Sequence, residues 1–244
     1  MSRSLRVGAV TVDLDDTLYP QAAYLDGAWR AVAARGAELG VDPVRLLAAL
    51  RGTAAEGSDR GRIVDRALAL VGAAELAPAP LVAAFSSYAP ERLEPYPGAL
   101  EALARLRAVV PVALVTDGAP AGQRAKLRAL GLDDLVDAVV LSDELGGRGA
   151  RKPDPRPFRA ALAALGADPA TTVHVGDRPA KDVVGAAAAG LRAVRVRTGE
   201  YAGAADQLGC PAWRTVGTFA EAVDLLLGLA EPAGRAADAA AAHA

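Results

Sequence analysis

The sequence predicts an α/β fold: a parallel sheet covered by helices on both faces, with a small all-helical domain inserted after the first strand. Three observations carry this. Short apolar runs rich in β-branched residues recur along the chain, and amphipathic helical stretches alternate with the later ones. One long interval, 21–92, has helical patterning and no strand.

The first run, 7–12, is short and ends at Asp13, Asp15 and Asp16, which reads as a buried strand stopped by an acidic loop. Further strands are expected over 109–115, 138–141, 171–175 and 193–196, and helices over 98–107, 120–130, 155–165 and 180–189. Gly131 and Gly166 fall where C-terminal glycine caps belong. Inside the insertion, helical patterning covers 25–39, 43–50, 63–70 and 81–87, and the proline-punctuated stretch 90–97 closes it as a hinge. The expected division is therefore a core of 1–20 and 93–230, a helical cap of 21–92, and a low-complexity, disordered tail of 231–244.

A formal net charge of −2 gives no electrostatic footprint for nucleic acid or an anionic membrane surface. The single cysteine, Cys210, rules out an internal disulfide framework and suits a reducing compartment. The N-terminus reaches carboxylates before any long apolar run, so neither a signal peptide nor a membrane anchor is expected. A cytoplasmic protein is the expectation. Positive charge is almost all arginine, and lysine occurs only at 126, 152 and 181, which makes each lysine conspicuous.

Four segments carry chemistry. In Asp13-Leu14-Asp15-Asp16-Thr17, carboxylates two residues apart share a side and repel one another at the mouth of an apolar core. A hard cation such as Mg²⁺ would relieve this; a solvated loop whose acids cap the next helix also fits. Thr116-Asp117-Gly118 follows the second strand, where a hydroxyl and free backbone amides form either a phosphate cradle or an ordinary turn. In Arg151-Lys152-Pro153-Asp154-Pro155 the prolines stiffen the approach to a helix and hold the lysine in place. In the stretch 173–182, Gly176 allows close backbone approach, Asp177 lies just past a strand, and Asp182 opens a helix, where it is favoured as a cap in any case. His174 reads as a packed strand residue, and Trp213 and Phe219 as core. All four segments lie beyond the carboxyl ends of expected parallel strands, the edge where open α/β sheets bind ligands. Asp13, Thr116, Lys152 and Asp177 are thus expected to converge on one pocket.

In this order, DLDDTLY, LVTDG, RKPDP and HVGDRPAKD resemble the motif set of the haloacid dehalogenase superfamily, over essentially the whole span from Val7 to Val196. The resemblance implies a Rossmann-like core with a helical cap after the first motif. It implies Asp13 as a nucleophile that becomes an aspartyl-phosphate, and Asp15 as the acid and base, with a raised pKa favoured by neighbouring carboxylates. Thr116 with the amides of Asp117 and Gly118 would hold phosphoryl oxygens, and Lys152 would neutralise charge. Asp13, the carbonyl of Asp15, and Asp177 would bind Mg²⁺, with Asp182 behind them. Two departures stand out. The glycine-rich stretch 146–150 ahead of Lys152 is longer than the family's spacing, and Asp117 stands where asparagine is common.

The same resemblance narrows the activity. Dehalogenases lack the second acid of the first motif, and Asp15 is present. Phosphonate-cleaving relatives use a cap lysine, and 21–92 contains none. A sugar phosphomutase is disfavoured because the cap has arginines but no lysine or histidine. A non-catalytic binding protein on this fold would be expected to lose Asp13 or Lys152. A phospho-receiver domain has its acids in another order and no place for the insertion. The expected activity is a Mg²⁺-dependent phosphomonoesterase acting on a small phosphorylated metabolite, as monomer or homodimer. Tyr19, Tyr24, Trp29 and Arg30 could line its entrance, although cap packing explains the aromatics and a solvated face explains Arg30.

Overall fold

The computed structural model describes residues 6–57 and 61–230. The expected tail, 231–244, lies outside the described residues. Six strands form one sheet: β1 (Ala9–Val12), β2 (Val112–Thr116), β3 (Ala138–Leu141), β4 (Thr172–Gly176), β5 (Arg192–Val196) and β6 (Arg214–Val216). Their order is β3-β2-β1-β4-β5-β6, and every pairing is parallel. The chain thus builds outward from β1 to one edge, then returns to build outward to the other. That reversal beside β1 opens a crevice at the carboxyl ends of β1, β2 and β4.

β1, β2 and β4 are buried along their whole length, as near-continuous apolar strands in a doubly covered parallel sheet must be. Covering helices include α5 (Ala99–Arg107), α6 (Pro120–Leu130), α7 (Arg156–Leu165) and α9 (Phe219–Leu227). The apolar stripes of α5, α6 and α9 close one core containing Val10, Val12, Leu103, Leu106, Val175 and Phe219, while Phe158 and Leu162 of α7 pack in a separate cluster with Val183 and Leu191. Gly131 and Gly166 end α6 and α7 in the left-handed conformation that the cap reading requires.

Four helices separate β1 from α5: α1 (Gln21–Glu38), α2 (Pro43–Ala55), α3 (Ile63–Leu70) and α4 (Ala79–Ser87). They bury a cluster of their own, built on Trp29, Val32, Leu46, Leu50, Leu68 and Leu81. Asp42 caps α2 by accepting from the N–H groups of Val44 (2.9 Å) and Arg45 (3.0 Å).

Several boundaries differ from the sequence reading. β2 starts at Val112 rather than 109, because Val109 and Val110 close the end of α5 with N–H bonds to the Leu106 carbonyl, and Pro111 follows. The helix expected over 180–189 is a wide π turn, Pro179–Val183, followed by a short α8 (Val184–Ala188). β6 was not anticipated: its three residues are largely exposed and show no apolar run. α9 was missed although its start is marked. Thr218 Oγ1 accepts from the N–H of Glu221, whose carboxylate accepts from the N–H of Gly217. Among the described residues, no helix is long and apolar enough to cross a membrane.

Candidate active site

The four segments meet in the crevice. Asp13 directly follows β1, and its N–H is fixed on the Val175 carbonyl of β4 (2.9 Å). Lys152 arrives from the far side of β2, with Nζ bonded to the Asp13 carboxylate, to Asp182 Oδ1 (2.7 Å) and to the Val115 carbonyl (3.2 Å). The longer stretch before it does not loosen this reach. Residues Gly147–Ala150 coil into a short 3-10 turn with Ala150 buried, and Asp143 grips Arg151 through two bonds of 2.6 and 2.7 Å. The Asp117 side chain accepts from the Lys152 backbone N–H (3.0 Å) and lies 3.5 Å from Lys181 Nζ. Thr116 is fully buried, and its hydroxyl meets the Gln123 amide.

Asp182 sits behind the carboxylates. Its Oδ1 meets Lys152 and His174 Nε2 (3.2 Å), and its Oδ2 accepts the N–H of Arg178 (2.9 Å). A side chain on Gly176 would lie 2.5 Å from the Asp182 carboxyl carbon, so only glycine lets Asp182 come this close. His174, expected as mere packing, bridges Thr11 Oγ1 (3.0 Å) and Asp182. Burial pushes its pKa down, so the ring is neutral. Burial also disfavours the Asp182 carboxylate, but the Lys152 charge and the His174 bond outweigh it and hold Asp182 well below the usual carboxylate range.

Asp177 is in the opposite position. It is 1 % exposed, and neither carboxylate oxygen has a hydrogen-bond partner. Burial, with Asp182 and Asp13 nearby, pushes its pKa up to about 9. Asp13 is pushed up to about 7 by burial and by Asp182, against the pull of Lys152. One oxygen each from Asp13, Asp177 and Asp182 lies within 4.8 Å of the others. Asp182 has its needs met by the protein, and Asp177 does not. A dry carboxylate with two orphaned oxygens beside a second acid is the donor set of a hard cation, and Asp13 and Asp177 fit Mg²⁺.

Asp15 corrects the sequence reading. A raised pKa was expected from its acidic neighbours, yet α6 places Lys126 Nζ 2.7 and 2.9 Å from its two oxygens. Gln123 Nε2 (3.1 Å) and the Tyr19 hydroxyl also donate to it. Burial works against the anion, but the Lys126 charge and these bonds win, and the pKa falls below the usual value. Lys126, Gln123 and Tyr19 were not anticipated in this role. The scarcity of lysine was the available signal: Lys126, Lys152 and Lys181 all line the same cavity of about 610 Å³. Its opposite wall comes from the inserted helices, including Tyr24, Trp29, Val82 and Phe85. Arg30 stays outside, paired with Asp26.

Buried acids, a lysine and a hydroxyl thus gather at the switch point of a parallel sheet, the place where α/β enzymes bind ligands. A family model for haloacid dehalogenase-like hydrolases matches residues 7–190, and the chain belongs to that family, as one of its phosphatases. It is 35 % identical to a glyceraldehyde 3-phosphate phosphatase of Methanopyrus kandleri, over 80 % of this chain and 86 % of that protein. It is 37 % identical to a phosphoglycolate phosphatase of Rhodospirillum rubrum, over 76 % of this chain and 78 % of that one. Among solved structures, a 2-haloacid dehalogenase from Pseudomonas syringae pv. Tomato DC3000 superposes with a TM-score of 0.63 at 27 % identity, covering 91 % of this chain and 99 % of that one.

Proposed function

We propose that this phosphatase is a Mg²⁺-dependent phosphomonoesterase that passes through an aspartyl-phosphate at Asp13, with the segment 21–92 as its cap. The observation that carries the reading is Asp13 itself: Lys152 holds its carboxylate, and Asp177 stands beside it with no partner for either oxygen.

Mg²⁺, held by Asp13 and Asp177, would offset charge on the phosphoryl group. Lys152 neutralises Asp13 and the incoming phosphate, so that two anions can meet. Asp13 attacks phosphorus, the ester P–O bond breaks, and the departing oxygen takes a proton from Asp15. Water then attacks the aspartyl-phosphate and gives its proton to Asp15, releasing phosphate and restoring Asp13. The low pKa of Asp15 in the structure suits this second step, where a carboxylate is needed. Thr116 and the amides of Asp117 and Gly118 hold the phosphoryl oxygens. The inserted helices wall the cavity opposite these groups, where the alcohol portion of the substrate would lie.

The relatives' names, glyceraldehyde 3-phosphate phosphatase and phosphoglycolate phosphatase, support a small phosphorylated metabolite as substrate. The test is hydrolysis of p-nitrophenyl phosphate by wild type and Asp13→Asn, with Mg²⁺ and with EDTA, followed by a panel of two- and three-carbon phosphate esters. Activity that needs both Mg²⁺ and Asp13 is expected. Activity that persists in Asp13→Asn, or silence across the whole panel, would sink the reading.

A further inference from the structure

Lys126 is nearly enclosed, with only 4 % of its surface exposed, and its ammonium spends itself on one carboxylate. Nζ reaches both oxygens of Asp15, at 2.7 and 2.9 Å. Gln123, three residues earlier on α6, donates to Asp15 Oδ2 at 3.1 Å and also meets the Thr116 hydroxyl. The Tyr19 hydroxyl takes up Oδ1 as well. Three groups thus make four hydrogen bonds to the two oxygens of Asp15, and two of the three, Lys126 and Gln123, come from α6. The other side of the ammonium is covered by the Tyr24 ring, whose centroid lies 4.3 Å from Nζ. Tyr24 belongs to α1, the first inserted helix, so α1 covers the ammonium that α6 presents to Asp15.

Among the described residues the Lys126 ammonium pairs with no other carboxylate, and a hydrophobic residue would fill the same space without a desolvation cost. We propose that Lys126 is a positioning residue: it fixes the Asp15 carboxyl for proton transfer, with its ammonium held against Asp15 and the Tyr24 ring of α1. The proposal rests on the acid–base role of Asp15 given above.

The experiment is a double-mutant cycle on p-nitrophenyl phosphate with Mg²⁺: wild type, Lys126→Met, Asp15→Asn and the double variant, with inorganic phosphate as competitive inhibitor. Lys126→Met is expected to lower kcat by about 10- to 100-fold, the usual range for losing a group that orients a catalytic one. KM and phosphate inhibition should stay close to wild type, and Lys126→Arg should recover most of kcat. In the Asp15→Asn background the Lys126 substitution should have no further effect, because the group it acts through is gone. An equal loss in both backgrounds, a change in KM alone, or wild-type kcat in Lys126→Met would overturn the proposal while leaving the phosphatase reading intact. Wild-type kcat in Asp15→Asn would instead remove the acid–base role of Asp15, and the proposal with it. Should Lys126→Met not fold, Lys126→Gln and Lys126→Arg complete the cycle, with loss expected in the first and retention in the second.

Discussion

Lys152 Nζ lies 2.7 Å from Asp182 Oδ1, and the same ammonium holds the carboxylate of Asp13. One buried cation therefore joins the proposed nucleophile to the acid behind it. Burial alone would strip the proton from Lys152, but Asp13, Asp182 and Asp117 reverse this and push its pKa well above the ordinary lysine value. The charge is thus permanent at any working pH.

Replacing Lys152 by methionine leaves two buried carboxylates facing each other. Removing one partner of a buried ion pair costs about 3–5 kcal/mol, and Lys152→Met is expected to lose stability on that scale. Its kcat should also fall by at least about 10²-fold, the scale for removing one preorganised electrostatic group. Thermal melting and p-nitrophenyl phosphate turnover read the two effects. A variant as stable and active as wild type would mean that the contact in the structure is idle.

Metal and proton compete at Asp177. In the metal-free fold its pKa is pushed up to about 9, against about 3.9 for an unfolded aspartate. The folded state then holds a proton that the unfolded chain releases, so this group's contribution to stability is lost as pH rises from about 4 towards about 9. Asp13, pushed up to about 7, acts in the same direction over the lower part of that window. A cation replaces the proton. The rise in Tm caused by Mg²⁺ should therefore grow between about pH 6 and about pH 9. A Mg²⁺ effect that is flat or shrinks over that range contradicts the assignment of Asp177 as a ligand.

Much of this arrangement was readable from the chain, and the limits have physical causes. Strand ends are marked by β-branched runs that stop at acids, so Asp13, Thr116 and Asp177 could be placed on one sheet edge without coordinates. The reversal of strand order beside β1 then brings them together. The partners of Asp15 were not readable in the same way. Lys126 and Gln123 reach it only because α6 leans over the end of β1, a matter of packing between elements. The pKa of Asp15 was misjudged for that reason: its neighbours in sequence are acids, and its neighbours in space are a lysine, an amide and a phenol. β6 lacks a signal because an exposed edge strand of three residues buries too little to leave a pattern.

Gly176 offers a test that touches no functional group. A methyl there would meet the Asp182 carboxyl carbon at 2.5 Å, inside any real contact, and Asp182 is held on three sides by Lys152, His174 and the N–H of Arg178. Gly176→Ala should displace Asp182, carry Lys152 with it and lower kcat by about tenfold or more, on the scale of lost orienting contacts. Turnover equal to wild type would show that the Asp182 position is not required.

The inserted helices yield the last prediction. Trp29 packs on Phe85 with ring centroids 4.5 Å apart and lies in a cluster drawn from the insertion alone. The sheet core is a second cluster, centred on β1, β2 and β4 and joined by Tyr24 and Ala28 of α1. If 21–92 is a cap with its own core, Trp29→Ala should cost about 3–5 kcal/mol, but within the insertion only. Native-state hydrogen exchange separates this from a general loss. Amides of α1, α2 and α4 should lose protection, while those of β1, β2 and β4 keep it. Protection lost equally in helices and sheet would mean that the two clusters unfold together, and the division of the chain into core and cap would fall.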